Sequence, residues 1–337
     1  MSLIDKPLVS VKMITYNHAP YIAQAIEGIL QQETNFPFEL VIGEDCSTDG
    51  TREIVFEYRK KYPDIIRVIT SEQNVGVTKN GYRVEKACRG KYIAYCEGDD
   101  YWHNPYKMQK QVDYLESHPE CAMVHSDGDC YYTVTGKRIR SIQKYRGTRP
   151  PDDPDILEIL MGKWVALTCT VCARRDLLVK IIDSDPILYQ NGRFLMGDTP
   201  RWAELSCLGK IAYIDESLAT ANALAESASR SKDTVKSLYF NKSCKEMVLY
   251  LHDKYNLPAT TRNKTEELWC KYALRLAFWE RNAQLSNEAR KKLKRRFTVI
   301  EWLQFCGSQS RVLNHALRPL VSIYRFTRRM LWEPPHF

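Results

Sequence analysis

The run Lys91-Tyr92-Ile93-Ala94-Tyr95-Cys96 leads straight into Glu97-Gly98-Asp99-Asp100. Its first part is a short apolar stretch, the pattern of a buried strand. Its second part sets three carboxylates within four residues. Such charges repel one another unless a cation sits among them, and hard divalent ions take oxygen ligands while leaving positions open for phosphate. Gly98 lets the backbone turn tightly between the acids. The plainer alternative is an acidic cap before a helix that opens at Tyr101-Trp102-His103-Asn104-Pro105. The position of the cluster, immediately after an apolar strand, favours the first reading.

The same arrangement recurs upstream. Leu8 to Thr15 reads as a strand and is followed by Thr15-Tyr16-Asn17. Phe38 to Gly43 reads as a second strand, followed by Glu44-Asp45-Cys46-Ser47-Thr48-Asp49-Gly50, and Ile65 to Thr70 as a third, followed by Asn74-Val75-Gly76. Between them lie helix-period segments: one with Pro20 at its first position and a stripe of Ile22, Ile26, Ile29 and Leu30, one capped by Asp49 or Thr51 and running toward Lys61, and one over 79–88. A helix opened by Asn104-Pro105 and a strand over 121–125 follow. Alternation of this kind predicts βαβ units and a mostly parallel sheet with helices on both faces, an α/β fold. Ligands bind beyond the carboxyl ends of such strands, and four polar clusters converge there.

Downstream, Tyr131 to Tyr145 suggests a hairpin, and Pro150-Pro151-Asp152-Asp153-Pro154 a loop. Helices are expected at 155–161, 175–183 and from 198, with strands at 166–173 and 210–214. From about 235 helical patterns dominate. The expected organisation is a domain over 1–230, divided near 130 into two halves, and a basic helical region over 231–337.

The 337 residues are 44% hydrophobic and 27% charged, which excludes disorder along the whole chain and fibrous repeats. No apolar run approaches the ~18 residues of a membrane-spanning helix, and Met1 to Lys6 shows no apolar signal core. Eleven scattered cysteines fit reduced thiols in the cytosol. Cys169-Thr170-Val171-Cys172 lacks the second pair that a zinc site needs, so these cysteines read as small core residues. His103 and His125 are isolated and read as loop or core histidines. GxGxxG, GxxxxGK[ST] and GxSxG are all absent, which argues against dinucleotide oxidoreductases, P-loop kinases and α/β-hydrolases. Residues 1–230 hold 28 Lys+Arg and 32 Asp+Glu, whereas 231–337 hold 21 and 9. The tail thus carries +12 and suits an anionic partner.

Taken in order, Thr15 to Ile22, Asp45 to Thr51, Asn74-Val75-Gly76 with Lys79-Asn80, and Glu97 to Asp100 resemble the motifs of family 2 glycosyltransferases, the inverting enzymes of GT-A fold and bacterial polysaccharide type. The resemblance implies that Thr15, Tyr16 and Asn17 line the base and ribose pocket. It implies that Asp45 accepts a hydrogen bond from the base imide, which suits UDP, and that Asn74 and Lys79 belong to the nucleotide site. Lys79 stands where the family often has Arg. Glu97 replaces the usual Asp and would meet the ribose or the metal shell. Asp99 and Asp100 would hold Mn²⁺ or Mg²⁺ on the diphosphate. Asp198, in Met196-Gly197-Asp198-Thr199-Pro200, matches the Asp of the family's E-D motif and would be the general base, although its residue chemistry alone reads as an N-cap. Gly197 replaces the Glu of that motif. Trp164 to Arg174 resembles the acceptor-side strand region, while Ala221-Asn222 and Arg230 depart from the L-A-T-Y-R…S-A-S-H segment.

The expected function is therefore metal-dependent transfer of a sugar from a nucleotide-diphosphate donor, a UDP-sugar, to a hydroxyl of a glycan or lipid-linked acceptor in cell-envelope polysaccharide synthesis. The alternatives are a nucleotide-sugar-binding protein with impaired catalysis and a membrane-associated adaptor on the same fold. No nucleic-acid module is visible. Leu320, Ile323, Tyr324, Thr327 and Leu331 fall near one face of a segment carrying Arg318, Arg325, Arg328 and Arg329 and ending at Trp332. That stripe either lies on an anionic membrane or packs on the enzyme body. The expected location is the cytoplasm, with a peripheral contact at the inner face of the plasma membrane in the first case.

Overall fold

The computed structural model describes residues 6–151, 153–162, 166–227 and 231–332, with side chains as far as Ile323. The chain forms two compact units. One comprises Met1–Arg193 and Gly197–Leu224, the other Phe194–Met196 and Ala225–Phe337.

The first unit opens with β1 (Val9–Thr15), α1 (Ile22–Leu30), β2 (Phe38–Glu44), α2 (Thr51–Lys61), β3 (Ile66–Ile69), α3 (Val77–Ala87) and β4 (Tyr92–Tyr95). Then come β5 (Tyr101–Trp102), α4 (Lys107–Ser117), β6 (Cys121–Tyr132), β7 (Arg138–Ile139), α5 (Ile142–Tyr145) and α6 (Ile156–Leu160). It closes with β8 (Val171–Arg174), α7 (Arg175–Ser184), α8 (Pro186–Tyr189), α9 (Asp198–Leu205) and β9 (Lys210–Ala223). Among the described residues nine strands form one sheet in the order β3-β2-β1-β4-β8-β6-β9-β5, with β7 on β6.

The alternating first part folds as its pattern predicts. β3, β2, β1 and β4 are mutually parallel, because α1, α2 and α3 return the chain between successive strands. On α1 the residues Ile22, Ala25, Ile26 and Ile29 are wholly buried, each large aliphatic side chain contributing ~1.5–3 kcal/mol. Helix α1 starts at Ile22, with Pro20 in the preceding turn rather than at the first helical position. The N-cap position of α2 is Gly50 at φ +100°, where a left-handed backbone suits glycine. Asp49 instead braces the turn by accepting from Thr51 N and Oγ1.

The second part departs from expectation, and the sheet is mixed. β8 runs antiparallel to both β4 and β6, because a long irregular segment delivers it rather than a crossover helix. β6 extends to Tyr132 and β9 to Ala223, pairing in parallel along their whole length with register shifts around Ser126–Gly128. The extension escapes hydropathy because its buried residues are polar. Asp127 accepts from the Gly128 and Gln143 amides, and Asp129 from Ser141 N and Ser217 Oγ. The expected hairpin over 131–145 shrinks to two paired residues, Cys130 and Tyr131 with Ile139 and Arg138, followed by α5. Thr168–Thr170 is a 3₁₀ turn, so the expected strand at 166–173 begins only at Val171.

The second unit is helical: α10 (Thr234–Lys254), α11 (Ala259–Glu280), α12 (Ala283–Lys292), α13 (Val299–Gln309) and α14 (Arg311–Trp332). α11 supplies the centre through Trp269, Cys270, Ala273, Leu274, Ala277 and Phe278, all buried at helical spacing. Gly307 of α13 lies against Phe278, where a Cβ would come within 2.5 Å of the ring. Thr298 and Glu301 form a reciprocal cap on α13, and Arg295 grips Glu301 with two nitrogens at 2.7 and 2.8 Å. Burial opposes the charge on Glu301, but Arg295 and the Thr298 amide pull its carboxyl down to about 2.

Candidate active site

The parallel strands bring three loops to one sheet edge. Thr15 and Glu44 are register partners at the ends of β1 and β2, Asp45 N donates to Thr15 O at 3.1 Å, and Gly98 N donates to Ile14 O at 3.0 Å. The first two loops are laced together. Asn17, at φ +55°, accepts from Thr48 N through its side chain and donates from its own amide to Ser47 Oγ. His18 N reaches Thr51 Oγ1 at 2.8 Å, and Ala19 N reaches Asp49 Oδ2 at 3.0 Å. Tyr16 is left exposed beside them.

Asp45 is buried, and each of its oxygens accepts one backbone amide at 2.9 Å, from Val75 and Gly76. The carboxylate therefore shapes the 74–76 loop, where Asn74 is exposed and its side chain accepts from Gly76 N. Lys79 is exposed on α3. One turn further on, Arg83 donates to Glu44 O at 3.0 Å and stands 3.5 Å from Asp45. Arg83 is a site residue that the sequence reading missed, and its i+4 spacing from Lys79 was the available signal.

The acidic turn has no slack. A Cβ on Gly98 would fall 2.6 Å from Thr15 Oγ1 and 3.0 Å from His18 Nδ1. Those two buried atoms have no hydrogen-bond partner. His18 Nδ1 lies 3.9 Å from Asp99 Oδ1. Asp100 turns the other way. It is buried, accepts from Asn222 N at 2.9 Å, and burial followed by Asp99 and Glu97 raises its carboxyl well above the ordinary range. Glu97 is pushed up to about 8 by burial and then by the charges of Asp99 and Asp198. Asp198, about a hundred positions away in sequence, thus stands within electrostatic reach of the acidic turn.

Asp198 is the first residue of α9. Its Oδ2 accepts from Thr168 Oγ1 at 3.1 Å and its Oδ1 from Thr199 N at 2.7 Å, which leaves lone pairs on both oxygens. A buried ion network holds this segment. Arg201 donates to the Gly197 carbonyl and pairs with Glu85 at 2.6 and 2.8 Å. Lys12 Nζ lies 3.1 Å from Glu85, and Tyr95 OH donates to it at 2.9 Å. Burial would raise the Glu85 carboxyl, but Arg201 and Lys12 pull it down to about 2. Lys12, Glu85 and Arg201 were not legible as a set, because each lies on a separate element.

Among the described residues no group of three or more His, Cys, Asp or Glu side chains is arranged to hold a metal. What does fit a divalent ion is a pair: the Asp99 carboxylate and the unpartnered His18 Nδ1. An ion that keeps several positions for phosphate and water needs little more from the protein. Asp100 commits one carboxylate oxygen to the Asn222 amide. Asn222 also donates from Nδ2 to Asp99 O at 2.5 Å, so the residue that departs from the family pattern braces the turn. His103 hydrogen-bonds Thr220 Oγ1 and Ser217 O, and His125 is buried in β6. Cys169 and Cys172 are buried. Trp164, Ala228, Ser229 and Arg230 lie outside the described residues.

Residues 10–175 match the family model described as glycosyl transferase family 2. An uncharacterised protein of Mycobacterium tuberculosis is 47% identical over 125 residues, which are 37% of this chain and 34% of that protein. The chain thus aligns with about a third of the length of the curated relatives it matches first. The crystal structure of S. aureus TarS 1-349 in complex with UDP-GlcNAc has a TM-score of 0.53 at 18% identity, covering 94% of this chain and 87% of that one. The mannosyltransferase PcManGT from Pyrobaculum calidifontis, in complex with GDP-Man and Mn2+, has a TM-score of 0.52 at 14% identity, covering 98% and 89%. At such identities these likenesses concern the fold, an α/β fold of GT-A type with a helical C-terminal region. Motif order, family match and fold agree: through residues 10–175 the chain belongs to glycosyl transferase family 2.

Proposed function

We propose that this chain is an inverting glycosyltransferase that moves a sugar from a nucleotide-diphosphate donor, a UDP-sugar, to a hydroxyl of a glycan or lipid-linked acceptor. The observation that carries the reading is the gathering of the β1, β2 and β4 loops at one sheet edge, with the Gly98 turn packed on Thr15 and His18 and with Asp198, held by Thr168 at the start of α9, within reach of the charge on Glu97. In this reading residues 1–130 bind the nucleotide and 131–230 shape the acceptor side, and the enzyme works in the cytoplasm. Thr15, Tyr16 and Asn17 border the base and ribose, with Asp45 and Arg83 fixing the adjoining loop. Asp99 and His18 would hold Mn²⁺ or Mg²⁺, and such an ion when bound offsets the charge that develops on the leaving diphosphate.

The proton is handled by the chain itself. An acceptor hydroxyl placed within hydrogen-bond reach of Asp198 gives up its proton to that carboxylate as its oxygen attacks the anomeric carbon. Thr168 Oγ1 and Thr199 N fix the carboxylate, and Arg201 anchors the preceding carbonyl. Direct displacement by a single base inverts the configuration and needs no nucleophilic carboxylate.

Calorimetric titration of UDP, GDP, dTDP and CDP, each with and without Mn²⁺, tests the donor site. UDP should bind in a metal-dependent manner, and Asp99→Ala should remove that dependence. Absence of binding for all four diphosphates overturns the reading.

A further inference from the structure

Helix α14 presents two faces with opposite fates. Asn314 and Val321 are seven residues apart, hence on one line of the helix, and are 2% and 3% exposed. Asn314 Nδ2 donates to the Phe278 carbonyl of α11 at 2.6 Å, so this line packs inward. Leu313 and Leu320 form the neighbouring line, and they are 46% and 54% exposed, with Val312 beside them at 78%. On α13, Val299 and Trp302 are one helical turn apart and likewise exposed. Five of the fifteen large apolar side chains that the described residues expose therefore fall between 299 and 320. Of the stripe seen in the sequence, Leu320 is not covered by the helical unit. Tyr324 to Leu331 lie beyond the described side chains.

The charge of this stretch of sequence is one-sided. From Arg290 to Arg329 the chain carries eleven Lys and Arg against a single acid, Glu301. That acid is buried and held by Arg295, and Lys292, Lys294 and Arg295 also meet Glu288, Glu266 and Glu267 of α12 and α11, so the cations left beside the α14 stripe in sequence are Arg311 and Arg318. A second copy of the chain would bring a like-charged face against this one, which opposes self-association. Exposed apolar side chains on both helices, a Trp among them, in a stretch rich in cations meet the two requirements of reversible binding to an anionic bilayer: apolar side chains for the acyl boundary and positive charge for the headgroups. None of the described helices is long and apolar enough to cross a membrane.

We propose that the α13–α14 face docks on the surface of an anionic lipid bilayer, with Val299, Trp302, Val312, Leu313 and Leu320 entering the headgroup boundary. This does not rest on the transferase reading. Co-sedimentation of the full chain with phosphatidylcholine vesicles, with and without phosphatidylglycerol, tests it at low and high salt. Binding should require phosphatidylglycerol and weaken with salt. Leu313→Glu/Leu320→Glu should weaken it by about tenfold or more, and Arg311→Glu should weaken it without altering the apolar stripe. All three positions are exposed, so circular dichroism and sedimentation velocity should match the parent. Equal binding to neutral vesicles, no binding to either, or parent-like binding of the double variant overturns the proposal. So does a concentration-dependent dimer that the double variant abolishes, since the face would then belong to a second copy.

Discussion

The sheet edge and the helical unit treat buried acids in opposite ways. Beyond β4, Glu97, Asp99 and Asp100 are crowded together with Asp198, and neighbouring like charges help to push two of these carboxyls up. In the helical unit, Glu301 is met by Arg295 and pulled down to about 2. The first unit contains both arrangements, since Glu85 is matched by Arg201 and Lys12. Matched acids hold a structure together. Unmatched acids make it ready for something that is not part of the chain.

Substitution at the two kinds of acid should therefore separate activity from stability. Asp198→Asn removes a charge from the crowded edge. Turnover should fall by ~10²–10⁴ while donor-diphosphate affinity is kept and thermal stability is unchanged or raised. Single-turnover transfer and a melting curve measure the two halves of this prediction, and a large loss of stability would break the contrast. Glu85→Gln should do the reverse, since it strands Arg201 and Lys12 as buried cations and should cost ~3–5 kcal/mol in urea unfolding. Glu85→Leu with Arg201→Met should recover part of that loss.

A third test concerns the helical unit. The Glu301 carboxyl sits below its ordinary value, so its contribution is complete above ~4.5 and is lost as the pH falls through about 2. Glu301→Gln should cost ~1.5–3 kcal/mol at neutral pH. Parent and variant curves should converge as the solution is acidified, and a constant gap down to pH 2 would show that the charge is not what matters. The smallest effect is expected on α3. Lys79→Ala should change UDP affinity by less than about threefold, while Arg83→Ala should weaken it by about tenfold through the Asp45 loop. Equal effects would show that Lys79 contributes to nucleotide binding as much as Arg83 does.

What the sequence disclosed follows from where apolar residues are continuous. β1 to β4 and their helices were readable because each buries an uninterrupted apolar stretch, and the loops that follow carry the motifs. β6 beyond His125 was not readable, since Ser126, Asp127 and Asp129 are buried by hydrogen bonding rather than by hydropathy. The direction of β8 depends on its connection, which leaves no periodic signal. The site was legible in its acids and obscure in its supports. His18, Arg83, Arg201 and Asn222 have meaning only through partners that folding brings near, and Asp100 faces Asn222 for the same reason.

The pairing of β6 with β9 has a consequence for the order of assembly. Cys121 and Lys210 are register partners eighty-nine positions apart, and the chain between them includes Thr168, Asp198 and Arg201. Contacts of such long range form slowly, because a large loop must close before any bond rewards it. During synthesis the nucleotide-side strands can be complete while β9 is still in the ribosome. A nascent chain of that length would hold the acidic turn before α9 has docked Asp198 beside it, so the proposed chemistry awaits a strand that is among the last of the sheet to be made.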